Sequence, residues 1–417
     1  MTDWFSGARF GMFIHWDHIA QRGVEISWPL VGGASGLHGA QASLAVDDYH
    51  ASAASFSPRC DSARDWLARA KRAGMRYAVF TAKHHDGFAM WPTRTGQLSV
   101  AQSRYRGDLV REYVDAARAN GLRIGIYYSL CDWHHPDYPA FRDEHRPYRF
   151  GTVPRPTPEQ WARFSEFQFA QMRELLTEYG KIDLVWFDGG WERSPAEWRA
   201  LEFIALIRAL QPGIVINDRL PGEGDYDTPE QFIPPVPPAR RWETCLTMNE
   251  TWAWNPSDAR YKSARALVHA LCEVASRGGN LLLNVSPMAD GSLPAEQTAR
   301  LDALAGWMSA HADAIHDSEP GLEPWQFYGP STRKGERIFL HLLMRPYESV
   351  SVRGVPVRRV RSVRELATGR ALEHRARTTI LDQMTNADPL GELTILVPEE
   401  VLDPLATVIE LEISSRA

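Results

Sequence analysis

Cysteine is scarce in this sequence, and its placement suggests no cross-link. The 417 residues contain no CxxC pair, and the only cysteines are Cys60, Cys131, Cys245 and Cys272. Neither a disulfide framework nor a cysteine-based zinc site is therefore expected. Since the N-terminus also lacks a basic segment followed by an apolar one, we expect a protein of the cytoplasm.

Three further features are missing, and each argues against a class of function. No apolar run approaches the length that spans a bilayer, so no membrane partner is expected. A formal net charge of -6, with no run of lysine and arginine, argues against nucleic acid as a partner. No GxGxxG motif follows the first predicted strand, as a dinucleotide-binding fold would require, so a barrel is favoured over such a fold. We also expect no cofactor.

Tryptophan, by contrast, is abundant, with 15 residues in the chain. Several tryptophans stand next to a histidine or an acidic residue, as in Trp133-His134 and Trp242-Glu243. Flat rings beside polar groups are typical of sites where a ligand stacks and hydrogen bonds orient it, and a sugar fits this description. The remaining composition, 44% apolar and 24% charged, is that of a globular protein with a large core.

The first two thirds of the chain alternate short apolar segments with helical patterns. The apolar segments, each typical of a buried strand, cover residues 10–16, 77–84, 122–130, 182–188, 214–217, 242–247 and 280–286. Strands that alternate with helices pair in parallel, because the crossover between parallel strands needs a dozen or more residues. Seven such strands with polar residues at their ends favour a (β/α)₈-like TIM barrel over an open sheet. The pattern does not locate an eighth strand.

The sequence pattern changes after about residue 323. Residues 337–343, 359–366, 392–397 and 406–413 are short, β-branched segments bounded by turns, with no helical pattern between them. These segments predict a C-terminal β-sandwich. The expected fold class is therefore α/β, with a catalytic (β/α)₈-like barrel in residues 1–322 and a β-sandwich domain in residues 323–417.

The segment that ends at Asp188 is the most informative for chemistry. An apolar run leads into Asp188 and then into Gly189-Gly190, which lets the backbone turn sharply and brings a ligand close. The carboxylate is then placed at the mouth of a parallel strand. An aspartate that caps the following helix would give the same local pattern.

Other polar residues also fall at predicted strand ends. In a barrel of this kind the active site lies at the C-terminal ends of the strands. The predicted strand-end residues besides Asp188 are His15, His84, His85, Trp133, His134, Arg219 and Glu243. Several of these side chains can move protons or carry charge, so together they predict a catalytic site.

Hydrolysis of a glycosidic bond needs a second carboxyl group beside Asp188, to protonate the leaving oxygen. Glu230 lies in a proline-rich loop between residues 220 and 238, and Glu243 follows a tryptophan at a strand. Each has a simpler interpretation, since Glu230 could be a solvated loop charge and Glu243 could pair with Arg240 or Arg241. Both remain candidates for the acid.

The adjacent residues His84 and His85 raise the question of a metal. Neighbouring residues of a strand point to opposite faces, and no third ligand stands at a telling spacing. We therefore expect no metal site here, and interpret the two histidines as hydrogen-bonding partners of sugar hydroxyls.

Five stretches in order along residues 4–330 carry a resemblance to a known family. They are residues 9–16 (RFGMFIHW), 83–88 (KHHDGF), 125–129 (GIYYS), 186–189 (WFDG) and 279–284 (GNLLLN). Together they resemble the α-L-fucosidases of glycoside hydrolase family 29. No single stretch would suffice, but their order makes the resemblance specific.

The resemblance implies an exo-acting, retaining α-L-fucosidase that removes terminal α-L-fucose from fucosylated glycans by double displacement. It implies the same architecture, a barrel with a C-terminal β-sandwich. By the same resemblance Asp188 is the nucleophile, and the Thr-Pro-Glu-Gln match favours Glu230 over Glu243 as the acid. The implied fucose-binding positions are His15, His84, His85, Tyr128 and Arg219, to which the sequence adds Trp28, Trp133 and His134.

One departure from the family pattern stands in the loop after the first strand. Family members commonly show a Glu-Trp pair there, whereas this chain has Ser27-Trp28, with Glu25 two residues earlier. Contacts to the secondary hydroxyls of the sugar are therefore expected to differ. The glycine-bearing segment 31–36 is expected to shape the mouth and the preference for a glycosidic linkage.

Two other functions fit the residues without the resemblance. A different retaining barrel glycosidase, such as an α-galactosidase, would share the aromatic walls and the paired carboxylates. A sugar-binding protein without catalysis would keep the aromatic residues and the histidines but would not need Asp188. The oligomeric state cannot be inferred from the sequence.

Overall fold

A computed structural model describes residues 3–33, 43–96, 98–139, 141, 143–149 and 153–415. Its first part is built on one parallel sheet of seven strands. The strands are β1 (Phe10–Ile14), β2 (Tyr77–Lys83), β3 (Arg123–Ser129), β4 (Leu184–Asp188), β5 (Val215–Ile216), β6 (Glu243–Thr247) and β7 (Asn280–Val285). Their order across the sheet is β5-β4-β3-β2-β1-β7-β6, which fits the predicted barrel.

Within the described residues, eight helices accompany these strands. They are α1 (Trp4–Ala8), α2 (Val46–Ser55), α3 (Ser62–Arg72), α4 (Leu109–Ala119), α5 (Pro158–Thr177), α6 (Ala200–Leu210), α7 (Ala264–Ser276) and α8 (Ala295–Ile315). Several begin at a side chain that satisfies a free backbone N–H, as when Ser263 accepts a hydrogen bond from the Ala266 N–H. None of the helices in the described ranges combines the length and the apolar character needed to cross a bilayer.

The strands separate two layers of core. Side chains of alternate residues, such as Met12 and Ile14, pack outward against the helices, while Phe13, Tyr127 and Trp186 point inward. This alternation follows from the two-residue period of a strand. The barrel interior is therefore filled with aromatic rings below the strand ends.

An irregular segment occupies the place of the eighth strand. Tyr226 bridges to Asn217 just after β5, and Glu230 bridges to Cys245 in β6, both in parallel. Along this edge the Gln231 N–H donates to the Cys245 carbonyl at 2.9 Å, and the Cys245 N–H donates to the Pro229 carbonyl at 3.2 Å. Residues 226–230 therefore span the gap between β5 and β6, and Glu230 lies at the C-terminal end of this segment. Because this segment is rich in proline, the sequence does not predict that it takes the place of a strand.

The C-terminal part consists of two antiparallel sheets and one helix, α9 (Ile380–Thr385). The strands are β8 (Glu319–Pro320), β9 (Ser331–Lys334), β10 (Arg337–Leu342), β11 (Ser349–Pro356), β12 (Val360–Glu365), β13 (His374–Arg377), β14 (Leu390–Leu396) and β15 (Thr407–Ile413). One sheet has the order β12-β15-β10-β9-β8 and the other β11-β14-β13. The first sheet begins at Glu319, four residues before the predicted boundary.

Candidate active site

A cavity of about 560 Å³ opens at the C-terminal ends of the barrel strands. Polar and aromatic side chains from both sides of the barrel meet there. Its walls include Phe13, His15, Glu25, Trp28, His84, His85, Tyr127, Trp186, Asp188, Trp191, Arg219, Glu230, Gln231, Cys245, Thr247, Asn249, Glu250, Trp252 and Lys262. Five of the eight predicted strand-end residues, His15, His84, His85, Asp188 and Arg219, therefore line this cavity.

Asp188 is the last residue of β4 and projects into the cavity with 14% of its side chain exposed. The Tyr127 hydroxyl donates to Asp188 Oδ2 at 2.9 Å, and Arg219 Nη1 donates to Oδ1 at 3.2 Å. Burial raises the pKa of Asp188 above its ordinary value, while the Arg219 charge and the Tyr127 hydrogen bond oppose that rise. Both contacts favour the ionised carboxylate.

The double glycine after Asp188 has the role that the sequence predicts. Gly189 has a φ of 76°, a conformation that side chains other than glycine rarely adopt. A Cβ on Gly190 would lie 2.0 Å from the Arg219 carbonyl oxygen, so the close approach of these two segments needs glycine. The turn therefore brings Arg219 to Asp188, and Asp188 does not cap a helix.

Arg219 joins the two carboxylates of the cavity. Its Nη2 donates to Glu230 Oε2 at 2.8 Å while Nη1 contacts Asp188. The Nε donates to the Thr228 hydroxyl at 2.9 Å, so the guanidinium is held on three sides. Because one guanidinium contacts both groups, Asp188 and Glu230 face each other across a short space. The Glu230 side chain keeps 31% of its surface exposed and can meet a ligand from the open side.

His84 and His85 both line the cavity, contrary to the expectation that they point to opposite faces. The reason is that β2 ends at Lys83, so the two histidines lie beyond the regular strand. His84 Nδ1 lies 2.7 Å from the Ser27 hydroxyl, and His85 Nδ1 lies 2.6 Å from the Ser129 hydroxyl. Each ring is therefore fixed at Nδ1.

The hydrogen bonds around His15 and His85 assign their protons. The Asn284 amide donates to the Trp252 carbonyl at 2.8 Å, so its oxygen accepts from His15 Nδ1 at 2.7 Å. The Ser129 hydroxyl donates to the Cys131 carbonyl at 2.6 Å, so its oxygen accepts from His85 Nδ1. Burial lowers the pKa of each imidazole to about 3, which keeps both neutral. The Nε2 atoms are then acceptors suited to sugar hydroxyls.

The aromatic walls come from several loops. Trp28 packs edge-on against His85 at 5.8 Å and against Trp133 at 5.4 Å between ring centroids. Trp133 lies behind this layer, with its ring 4.9 Å from His85 and its indole N–H donating to Glu192 at 3.1 Å. Trp28 therefore faces the cavity, whereas Trp133 supports Trp28 and His85 from behind.

Tyr128 and His134 lie outside the cavity, which corrects two of the expected positions. The Tyr128 hydroxyl donates to Gln171 of α5 at 2.9 Å, so this ring faces the helices, while the neighbouring Tyr127 faces inward. His134 packs against His50 with 4.5 Å between ring centroids. Strand alternation explains Tyr128, and the turn after β3 carries His134 away from the mouth.

Glu243 also lies outside the cavity. It is the first residue of β6, so its side chain lies at the opposite end of the strand from the mouth, with 0% exposure. It accepts hydrogen bonds from Tyr77 at 2.5 Å and from the Trp186 indole at 3.0 Å, and it makes no ion pair with Arg240 or Arg241 among the described contacts. Burial raises its pKa to about 7. The structure thus places it beneath the floor of the cavity.

The departure at Ser27 has a structural counterpart. The Ser27 hydroxyl is hydrogen-bonded to His84. Glu25 lines the cavity and accepts hydrogen bonds from the backbone N–H groups of Trp252 and Ala253 at 2.8 and 2.7 Å. Glu25 thus joins the loop after β1 to the loop after β6. Residues 34–36 of the glycine-bearing segment lie outside the described part of the chain.

His84, His85 and Asp188 place one possible metal-ligand atom each within 4.8 Å of one another. Residue types alone would therefore allow a cation here. Arg219, however, already supplies a positive charge 3.2 Å from Asp188, and a cation would be repelled by it. The set is better suited to hydroxyl groups.

Strand alternation is the signal that the sequence interpretation did not use. Asp188 and Trp186 share a face of β4, and their register partners in β3 are Ser129 and Tyr127. Counting in steps of two from Asp188 would have selected Tyr127 in place of Tyr128. No comparable signal marks Asn249, Trp252 or Lys262, which lie in the irregular loop after β6.

Comparison with known proteins identifies the family of this chain. The sequence matches the family model described as Alpha-L-fucosidase over residues 1–313, about three quarters of the chain. The chain belongs to the α-L-fucosidase family. It is 29% identical to the tissue alpha-L-fucosidase of Homo sapiens over 381 residues, covering 83% of this chain and 76% of that protein.

Solved structures of the family share the whole architecture. The alpha-L-fucosidase isoenzyme 1 from Paenibacillus thiaminolyticus is 34% identical, with a TM-score of 0.85 over 99% of this chain and 98% of that one. A GH29 alpha-L-fucosidase from Bacteroides thetaiotaomicron is 27% identical, with a TM-score of 0.82 over 99% and 95% of the chains. That structure is a covalent intermediate trapped with 2-fluoro-fucosyl fluoride. Both the barrel and the C-terminal β domain are therefore features of the family.

Proposed function

We propose that the protein is an exo-acting, retaining α-L-fucosidase that releases terminal α-L-fucose from fucosylated oligosaccharides or glycoconjugates. The observation that carries the proposal is the pair of carboxylates, Asp188 and Glu230, that contact the two ends of the Arg219 guanidinium in one cavity. Retaining glycosidases need two such carboxyl groups about 5–5.5 Å apart. The family membership of the chain supports fucose as the sugar.

In the first step, an Asp188 oxygen attacks C1 of the fucosyl unit. The bond from C1 to the leaving oxygen breaks, and Glu230 gives its proton to that oxygen. Arg219 and Tyr127 hold the Asp188 carboxylate in place, which supports its role as nucleophile. The product of this step is an ester between fucose and Asp188.

In the second step, water enters from the side that the leaving group has vacated. Glu230, now ionised, takes a proton from this water as its oxygen attacks C1, and the ester to Asp188 breaks. Two inversions give net retention. The partial exposure of Glu230 on the open side supports this role, because the residue must reach both the aglycone and water.

Recognition of the sugar would rest on the fixed histidines and the aromatic walls. His15 and His85 line the cavity and use Nδ1 within the protein, so each Nε2 atom can accept a hydrogen bond from a sugar hydroxyl. Trp28, Trp186 and Trp252 offer apolar faces on which the C5 methyl group of fucose could pack. A site built to hydrogen-bond a sugar hydroxyl discriminates strongly against a sugar that lacks it.

The experiment is hydrolysis of an aryl α-L-fucoside followed by proton NMR. The expected first product is α-L-fucose, which mutarotates to the β anomer afterwards. An aryl α-galactoside should not be hydrolysed at a comparable rate. Initial release of the β anomer would overturn the retaining mechanism, and preferential turnover of the galactoside would favour an α-galactosidase.

A sugar-binding protein without catalysis is the remaining alternative. It would bind fucose in calorimetry but show no turnover of any fucoside, including one with a dinitrophenolate leaving group. In that case Asp188→Asn would bind fucose as the wild type does, and neither protein would turn over a fucoside. We expect the wild type to turn over and Asp188→Asn to retain binding only.

We also propose that the protein acts in a reducing compartment and that its C-terminal domain is a β-sandwich. Four free thiols support a reducing compartment such as the cytoplasm, which fractionation of the native cells would test. The two antiparallel sheets share one apolar core, contributed by Leu340 of β10, Val352 of β11 and Leu393 of β14 among others, which supports a β-sandwich.

A further inference from the structure

A buried polar cluster that does not line the cavity is linked to His84 through Ser27. We propose that Asp17, His18 and Asp86 bind a divalent first-row transition-metal ion that fixes the loops after β1 and β2. All three side chains are nearly or fully buried. One possible ligand atom of each lies within 4.8 Å of the other two.

The hydrogen bonds of His18 leave one nitrogen free to act as a ligand. The Ser52 hydroxyl donates to the Tyr49 carbonyl at 3.0 Å, so its oxygen accepts from His18 Nδ1 at 2.7 Å. The proton of the neutral ring is therefore on Nδ1. His18 Nε2 then carries a lone pair, and it has no hydrogen-bond partner among the described residues. An unprotonated imidazole nitrogen is the form that binds metal.

The two carboxylates differ in their donors, and only Asp17 has an oxygen without one among the described residues. Asp17 Oδ1 accepts from the Ile19 N–H at 2.7 Å, but Oδ2 has no partner among the described residues. Asp86 accepts from the Tyr49 hydroxyl at 2.7 Å and from the Phe88 N–H at 3.0 Å. Two buried carboxylates in contact cannot both stay ionised without a positive charge between them.

A proton shared between Asp17 and Asp86 would neutralise one of the two carboxylates. That arrangement would still leave His18 Nε2 as a buried acceptor without a donor, which costs free energy. A cation satisfies Asp17 Oδ2, Asp86 and His18 Nε2 together. The unpartnered nitrogen is therefore the observation that favours a metal over a proton.

The ligand types indicate the class of ion. Two carboxylates and one imidazole suit Zn²⁺, Mn²⁺ or Fe²⁺, whereas Mg²⁺ and Ca²⁺ prefer oxygen ligands alone. Bonds of about 2.0–2.2 Å to zinc require the three ligand atoms to lie closer to one another than the 4.8 Å limit within which they are found. Water would complete the coordination.

The cluster connects directly to the candidate active site. The Asp86 backbone N–H donates to the Ser27 hydroxyl at 2.9 Å, and Ser27 contacts His84 Nδ1 at 2.7 Å. An ion at Asp17, His18 and Asp86 would therefore fix the loop that holds His84. Its role would be to position that histidine, since the ion would not touch the substrate.

Metal content is the first test. The full chain, purified without a metal-affinity tag or a chelator, should hold about one equivalent of a first-row transition metal by mass spectrometry of the elements. The metal content of Asp17→Asn and of His18→Gln should each be lower than that of the wild type by roughly tenfold or more. Asp47→Asn, an exposed acidic residue on α2, is the matched control and should hold as much as the wild type.

A second test uses the wild type alone, in case the variants do not fold. Protein stripped with a chelator should show a lower Tm, regain it with Zn²⁺ or Mn²⁺, and develop visible absorption with Co²⁺. The absorption should be absent from His18→Gln if that variant folds. Wild type that holds no metal, gives no cobalt spectrum and keeps its Tm after stripping would overturn the proposal and leave a shared proton between Asp17 and Asp86.

Discussion

Replacing Glu230 and Glu243 separately is the perturbation that best distinguishes the two acidic residues. A general acid contributes about 10²–10⁴-fold to the rate, or about 3–5 kcal/mol of barrier. Glu230→Ala should therefore lower kcat/KM on a natural fucoside by about that factor. A fucoside with a dinitrophenolate leaving group needs little protonation, so its first step should remain fast.

Azide should restore turnover of Glu230→Ala, because azide attacks the covalent intermediate without losing a proton. The product should be α-L-fucosyl azide, formed by inversion at the intermediate. The assay measures release of dinitrophenol with and without azide, and NMR identifies the configuration of the azide product.

The structure predicts a different outcome at Glu243. Glu243→Ala would leave the Tyr77, Trp186 and Tyr226 donors without an acceptor, at about 1–3 kcal/mol each. We therefore expect a lower Tm, and Glu243→Gln, which keeps an acceptor oxygen, is the better variant for kinetics. It should show neither the leaving-group dependence nor azide rescue. Rescue in Glu243→Gln and none in Glu230→Ala would refute the assignment.

Three further predictions concern the surroundings of the carboxylates. Tyr127→Phe removes the hydrogen bond to Asp188, which is worth about 1.5–3 kcal/mol for a charged acceptor. We therefore expect kcat/KM to fall roughly 10- to 100-fold and the acidic limb of its pH profile to move to higher pH. An unchanged pH profile would exclude a role for Tyr127 in keeping Asp188 ionised. In Arg219→Lys the ammonium group cannot reach both carboxylates as the planar guanidinium does. We therefore expect kcat/KM to fall by roughly 10²-fold, with the Tm little changed. Near-normal kinetics would contradict the bridging role of Arg219. Burial raises the pKa of Glu25 from 4.5 to about 7, so its contribution to the free energy of unfolding is present below pH 4.5 and is lost as the pH rises through 7, by about 3 kcal/mol. Between pH 5 and pH 8, urea unfolding should therefore show a smaller loss of stability in Glu25→Gln than in the wild type. Equal losses would exclude Glu25 as the source of the pH dependence.

The strand positions were predictable because apolar runs that end in a polar residue have few other interpretations. The segments predicted at 77–84 and 182–188 became Tyr77–Lys83 and Leu184–Asp188. The same reasoning failed at the eighth position, since residues 226–230 contain a proline and too few apolar residues to suggest a strand. Their place between β5 and β6 depends on contacts that are distant in the sequence.

The errors in the predicted site have simple physical causes. The resemblance points to Tyr128 and not to Tyr127 because it marks a stretch and does not specify which face each side chain takes. Glu243 begins its strand and does not end it, so the parallel direction of β6 places it at the far end of the barrel. His84 and His85 share the cavity because the regular strand stops one residue before them.

The direct test of the central claim is to identify the residue that carries the sugar. Incubation with 2-fluoro-fucosyl fluoride, the compound that trapped the intermediate of the Bacteroides thetaiotaomicron enzyme, should add one fluorofucosyl group per chain. Mass spectrometry of the digested protein should place this group on Asp188, and Asp188→Asn should remain unlabelled. Attachment of the sugar to any other residue, with Asp188 unmodified, would contradict the account.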